Sequence, residues 1–355
     1  MSEVSTIKIT KTTKSRLSET DLKNVPFGKI FTDHMLVADF VNGAWQEPEI
    51  LPYQPLSFDP SLSAIHYGQS IFEGIKAYHN VRNETVIFRP YDNFARFNQS
   101  AVRMQMPEVP EEIFIEGMKE LINLDKAWIP GYDNHALYIR PFMFSTDTFI
   151  GVRPSSTYKF MIILAPTGPY YSKPVRIAVE EKYTRAAPGG VGQAKNAGNY
   201  GASLKPTSDA QAQGYDQILW TDAFEHKWLQ EVGTMNVFFV LKDKVLTPSL
   251  EEGTILDGVT RRSAVVVLRE MGLNVEERKV SIDELIDEYK KGNFLEAFGT
   301  GTAATISPIK ELAYKDEHLV FDLEKSSQTS IELGKRLSDI RLGIVEDVHG
   351  WIEKI

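Results

Sequence analysis

The sequence predicts an α+β fold of two domains, and three observations predict it. The chain has 355 residues, more than one hydrophobic core comfortably serves. Strand-like and helix-like segments mix in both halves without the regular rhythm of a doubly wound sheet. Residues 166–174 hold Pro166, Gly168, Pro169 and Pro174, the strongest linker signal in the chain. The expected organisation is a smaller first domain over 1–165, a linker over 166–174 and a larger second domain over 175–355.

Residues 1–25 read as a polar arm. Residues 32–40 and 85–88 are β-rich. Phe94, Phe97, Ala101 and Met104 fall on one helical stripe, which Pro107 and Pro110 end. A second helical pattern runs over 113–124. Segments 136–144 and 158–165, rich in aromatic and branched residues, read as buried strands. The second half opens with a strand over 175–179 and a glycine-rich loop over 188–199. A helix to about residue 213 follows, then strands at 218–221, 228–230 and 236–241. Helices are expected over 258–271, which Gly272 stops, and over 282–290 and 330–340.

Composition narrows the chemistry. Hydrophobic residues make up 42% and charged residues 25%, an ordinary globular balance. A formal charge of -9 disfavours nonspecific binding to nucleic acid but allows a local basic pocket for one phosphate. With no cysteine there is no disulfide, thiolate metal site or cysteine nucleophile, and no metal is expected. Neither a signal-peptide core nor a membrane-length apolar run is visible, so a cytoplasmic protein is expected.

Five constellations could carry chemistry. Gly189, Gly190, Gly192, Gly198 and Gly201 bracket Lys195. Such glycines let backbone crowd a flat ligand, and a lysine held there would lose hydration and gain nucleophilicity. A mobile loop with a solvated lysine is the plain alternative, and from these residues alone it is the favoured one. Glu231 ends an apolar strand before Gly233-Thr234. A buried carboxylate needs a cation, and a protonated pyridine nitrogen would serve; an ordinary turn glutamate is the plain alternative. Asp257-Gly-Val259-Thr260-Arg261-Arg262 opens a helix, whose N–H groups and dipole favour a phosphate.

Gly299-Thr-Gly301-Thr302-Ala303-Ala304 matches the dinucleotide fingerprint, with Asp322 about twenty residues on. That reading needs a full helix after the glycines, and Pro308 argues against one. The fifth constellation lies in the first half. It comprises His66-Tyr67-Gly-Gln-Ser-Ile-Phe72-Glu73-Gly74, Arg89 through Arg96, and Tyr138-Ile-Arg140. Tyr138 and Arg140 share one strand face, and arginine forks suit carboxylates and phosphates. Core packing of the aromatics, and pairing of Arg89 or Arg96 with Asp92, are the plain alternatives.

In their order and spacing, these motifs resemble the branched-chain amino-acid aminotransferases, fold type IV enzymes that use pyridoxal 5'-phosphate (PLP). The resemblance runs from Phe27 to Trp351. It implies a two-domain fold with the cofactor between the domains. It also implies reversible transfer of the amino group of L-leucine, L-isoleucine or L-valine to 2-oxoglutarate. Lys195 resembles the lysine that tethers the cofactor and shuttles the proton, and Glu231 the partner of the ring nitrogen. Arg96 resembles the phosphate-binding arginine, helped by Val259, Thr260 and Thr302. Tyr200 resembles the partner of the phenolic oxygen. Phe27, Tyr67, Phe72, Tyr138, Thr234, Thr302 and Ala303 match pocket positions. Arg140 resembles the residue that accommodates the side-chain carboxylate of glutamate. Val152 matches a residue that reaches a partner subunit's pocket, which implies a homodimer at least. Relatives of the same fold (D-amino-acid aminotransferases, aminodeoxychorismate lyases, amine transaminases) would keep Lys195 and Glu231 but differ at Tyr67, Phe72, Tyr138 and Arg140. Some mammalian members carry a redox-sensitive Cys-x-x-Cys; here Ala304 and Ser307 stand at those positions.

Overall fold

The computed structural model describes residues 7–168, 173–303, 305–326 and 328–355. Residues 169–172 of the expected linker, and Ala304, lie outside them. The chain divides into two compact units. One holds residues 1–170, 194–197 and 340–355; the other holds 171–193 and 198–339.

The first unit is built on a ten-stranded sheet. Its order is Lys8–Ile9, Glu49–Pro52, His34–Val41, Tyr158–Thr167, Ala136–Ser145, Ile75–His79, Thr85–Phe88 and Ile352–Lys354. Ala44–Trp45 and Ser70–Phe72 pair at the side. Every pairing but the first is antiparallel. Side chains alternate across such strands, so each strand presents two faces. Leu137, Ile139, Ile75, Ala77, Phe160 and Ile162 join one core with Phe97 and Ala101 of the helix Pro90–Arg103 and Met118 and Leu121 of Gly117–Leu124. Tyr138 and Arg140 fall on the opposite face. The stripe expected over 94–104 is the buried side of that first helix. The pattern at 113–124 begins as a wider π-type turn, Glu112–Glu116, before becoming α-helical.

The second unit has a nine-stranded mixed sheet. Its order is Leu229–Val232, Gln217–Thr221, Val175–Val179, Thr305–Tyr314, Phe294–Gly301, Asn236–Leu241, Val245–Thr247 and Val275–Glu277, with Glu317–Val320 beside Thr305–Tyr314. Val175–Val179 runs parallel to both its neighbours. Val237, Phe239, Ala297, Ile309 and the helix residues Leu285 and Ile286 form its core. On the other face Phe238 stacks on Phe298, with centroids 5.2 Å apart. The helix Val259–Glu270 packs against Phe294–Gly301.

Two features differ from the expected division at 165 and 175. The segment 194–197 belongs to the first unit, because Asn196 bridges Ile71 and the Lys195 carbonyl accepts the Phe72 N–H at 3.0 Å. The C-terminus belongs there too, because Ile352–Lys354 forms the sheet edge beside Thr85–Phe88. The Gly299–Ala303 stretch is a β-hairpin, with Gly301 opposite Thr305. A hairpin leaves no helix after the glycines to support a pyrophosphate, which removes the dinucleotide reading. No described helix is long and apolar enough to cross a membrane.

Candidate active site

In the first unit the backbone of Lys195 is stitched on both sides. Its N–H donates to Ser100 Oγ at 2.9 Å, and its carbonyl accepts from Phe72. Ser100 is itself buried in the helix Pro90–Arg103 and donates to the Arg96 carbonyl. The half-buried lysine side chain then lies over an aromatic wall, with Nζ 4.9 Å from the Phe72 ring centroid. The solvated-loop alternative is therefore set aside: this lysine has a fixed backbone and an apolar neighbour.

Arg140 uses the same wall. Its Cζ stands 4.7 Å from the Phe72 ring and 5.3 Å from the Tyr138 ring, while Nη2 donates to Tyr138 Oη at 3.0 Å. Arg140 Nε is buried without a hydrogen-bond partner among the described residues. Phe27 meets Tyr138 edge-on at 5.0 Å. A cation against aromatic faces is stabilised by the ring quadrupole, and the arrangement surrounds one guanidinium with apolar surface. Lys76, directly across the ladder from Tyr138, is buried beside it. Burial first, and the Arg341 charge second, pull its ammonium down to about 7.

Arg96 is committed differently from the plain alternative. Arg89, not Arg96, pairs with Asp92. Arg96 Nε and Nη2 grip the two Glu73 oxygens at 2.7 and 2.8 Å in a buried fork. Glu73 is fixed by its own N–H to the Pro141 carbonyl and by the Gly74 N–H on Oε2.

In the second unit Glu231 is buried and already has a cation. Arg185 Nε lies 2.8 Å from its Oε2. Oε1 accepts the Leu256 N–H at 2.7 Å and the Asn236 amide at 3.5 Å. A buried carboxylate here is expected to need a cation, for which a pyridine nitrogen would serve; the protein itself supplies Arg185 as one. Arg185 gave no signal in the sequence, because nothing in a Thr-Arg-Ala-Ala run announces a long-range pair. The helix Val259–Glu270 starts as expected behind Gly258, an N-cap with no side chain of its own to close it. The N–H groups of such a helix start favour an anion. Asn236 abuts Gly258, where an added Cβ would stand 2.0 Å from Asn236 Oδ1. Thr300, paired with Asn236 in the ladder, has a buried hydroxyl with no partner among the described residues. Tyr200 sits in the first turn of Ala197–Ala212. Thr302 and Ala303 are half-buried at the hairpin, and Thr234 is exposed at a turn where Gly233 takes φ +54°.

Two expected residues stand apart from both sets. Tyr67 is 41% exposed and Val152 is 91% exposed. Among the described residues no group of three His, Asp or Glu side chains could hold a metal.

Comparison with known proteins meets this geometry. Residues 70–312 match the family described as Amino-transferase class IV. Branched-chain-amino-acid aminotransferase 2 of Bacillus subtilis (strain 168) is 45% identical over 347 residues, covering 97% of this chain and 95% of its own. A probable branched-chain-amino-acid aminotransferase of Staphylococcus aureus (strain MRSA252) is 45% identical over 99% of this chain and 98% of its own. The chain belongs to the class IV aminotransferases, in their branched-chain amino-acid aminotransferase family.

Solved members of the family share the architecture. The branched-chain aminotransferase of Thermoproteus uzoniensis, solved with norvaline, superimposes with a TM-score of 0.74 at 26% identity, over 90% of this chain and 99% of its own. The T.th. branched-chain amino acid aminotransferase, solved with N-(5'-phosphopyridoxyl)-L-glutamate, gives 0.71 at 26% identity, over 89% and 97%. Taken unit by unit, the residues are of the chemical kinds such a group needs: in the first unit an amine on an aromatic wall, and in the second a buried carboxylate paired with an arginine, a helix start behind a glycine, and a buried hydroxyl without a partner among the described residues.

Proposed function

We propose that this aminotransferase binds pyridoxal 5'-phosphate through Lys195 and moves the amino group of leucine, isoleucine or valine to 2-oxoglutarate. The observation that carries this reading is the Phe72 ring, which carries the Lys195 amine and the Arg140 guanidinium at 4.9 and 4.7 Å. A reacting amine and a carboxylate-reading cation share one apolar surface.

When bound, the cofactor supplies an electron sink that makes the substrate Cα–H acidic. Lys195 Nζ takes the Cα proton of the branched amino acid in one half-reaction. In the other it returns a proton to the Cα that becomes glutamate. Glu231 favours a protonated ring nitrogen. Arg96, with the N–H groups of Val259 and Thr260 and the Thr302 side chain, holds the phosphate, and Tyr200 faces the phenolic oxygen. Phe27, Phe72 and Tyr138 exclude water and accept an aliphatic chain, with Thr234 and Ala303 completing the pocket. Arg140 takes the distal carboxylate of glutamate or 2-oxoglutarate. Tyr67 and the exposed Val152 complete a pocket across a homodimer, and the enzyme works in the cytoplasm.

The test is the visible spectrum of the purified protein with and without L-leucine, followed by borohydride reduction and peptide mapping. The expected result is a yellow protein that L-leucine bleaches, with the reduced tag on Lys195. Turnover in Lys195→Ala should fall by about 10²–10⁴-fold or more, the scale of a lost proton shuttle. A colourless protein after incubation with pyridoxal phosphate, or a tag on another lysine, overturns the reading.

A further inference from the structure

We infer that Arg185 is a positioning residue, which keeps Glu231 charged and aimed from the base of the glycine loop. The inference rests on the reading of Glu231 as the acid facing the cofactor's ring nitrogen.

The Arg185 guanidinium has three separate engagements. Nε lies 2.8 Å from Glu231 Oε2. Nη1 donates to the Thr254 carbonyl at 2.8 Å, and Nη2 to the Gly192 carbonyl at 3.2 Å. The Arg185 and Glu231 side chains are 8% and 4% exposed, so water does not screen the pair. A carboxylate this deep is costly to keep ionised alone, and a guanidinium in contact favours its charged form. The planar fork also restricts where that carboxylate can point, which a lysine would not do as well.

The other two engagements tie this charge to the backbone. Gly192 lies three residues before Lys195 in the chain. An added Cβ there would stand 2.5 Å from the Thr254 oxygen and 2.6 Å from the Ala186 Cβ, so the loop is in close contact with the 254 segment. Leu256, two residues beyond Thr254, gives its N–H to the other Glu231 oxygen. Both oxygens of Glu231 are thereby set by linked groups: Arg185, itself bonded to the Thr254 carbonyl, on one, and the Leu256 backbone on the other. A salt bridge for stability alone would not need this. Buried ion pairs are poor stabilisers, and a pair kept at a reacting site fits a role in setting a charge.

The test uses the holoenzyme and two readouts, the dissociation constant for pyridoxal phosphate and the pH titration of the visible band. Arg185→Gln should weaken cofactor binding by roughly tenfold or more, the size of one charged hydrogen bond, and should displace the titration of the band. Arg185→Lys should restore the titration, because it keeps the charge. In a Glu231→Gln background, Arg185→Gln should cost less than about threefold, because its object is gone. Equal losses in both backgrounds, or a lysine variant that titrates like the glutamine one, overturn the inference in favour of a loop-packing role. If Glu231→Gln by itself changes neither readout, the Glu231 reading fails first. Should Arg185→Gln not fold, Arg185→Lys is read in both backgrounds, since it gives up the fork that aims the carboxylate. A loss of affinity that is larger with Glu231 present than with Gln in its place supports the inference, and no difference between the backgrounds overturns it.

Discussion

A Cβ added to Gly74 would stand 2.1 Å from the Tyr138 hydroxyl oxygen and 3.0 Å from its Cζ. Tyr138 in turn holds Arg140 and meets Phe27, so one missing methyl sets the depth of an aromatic wall.

Gly74→Ala should therefore displace Tyr138 and cost about 1–3 kcal/mol of stability, as overpacked cores do. The phenol cannot swing away freely, because its hydroxyl is bonded to Arg140. Adding Tyr138→Phe removes the closest atom and should recover part of the loss. Thermal denaturation of the two single variants and the double variant reads this directly, and additive losses would contradict the contact.

Arg140 supplies the second expectation. Its guanidinium lies on two rings with Nε buried and without a described partner, so it is ready for an acceptor brought by a ligand. Arg140→Ala should lower kcat/KM for 2-oxoglutarate and glutamate by roughly 10–100-fold, the size of a charged hydrogen bond. Leucine, which brings no second carboxylate, should lose less than about tenfold on the same scale. Steady-state kinetics with each substrate decide it, and equal losses count against the assignment.

These expectations also mark what was legible from sequence. The stripe of Phe94, Phe97 and Ala101 is local, so the helix and its buried side could be read directly. Tyr138 and Arg140 could be placed on one face by strand period alone. Arg185 and Glu73 could not, because their partners are set by strand order and loop closure. Likewise Lys195 is tied to the first unit by Phe72 and Ser100, and its neighbour Asn196 by Ile71, all remote in sequence. The glycines at 299 and 301 were ambiguous because the same spacing suits a phosphate loop or a hairpin. Only pairing with Ser307 and Thr305 decides between them.

Asp222 yields a pH dependence. Burial works against its charge, but four backbone N–H groups, from Phe224, Glu225, Lys227 and Trp228, outweigh it and bring the carboxyl down to about 2. Its folded-state value lies below the unfolded 3.8, so its contribution is full above that pH and is lost as pH falls toward 2. Asp222→Asn should then cost about 1–2 kcal/mol near neutrality, allowing for solvent around the loop. The gap between variant and wild type should narrow in urea titrations below about pH 3. A gap independent of pH would mean that shape, not charge, carries the effect.

Arg96 is the most demanding case, because its fork already grips Glu73. Two outcomes separate an ion pair that only holds the fold from an arginine that also anchors phosphate. Removing Glu73 takes away the carboxylate that this buried fork grips, so Glu73→Ala should destabilise the protein by about 3–5 kcal/mol. That loss is expected under either role. Arg96→Lys keeps a charge opposite Glu73 but gives up the bidentate geometry. If Arg96 also reads the phosphate, this variant should bind pyridoxal 5'-phosphate at least about tenfold more weakly, the size of one charge-assisted contact. Its binding of pyridoxal, which lacks the phosphate, should change little. Parallel titrations of the apoenzyme with the two compounds give the ratio, and equal weakening for both would confine Arg96 to the ion pair.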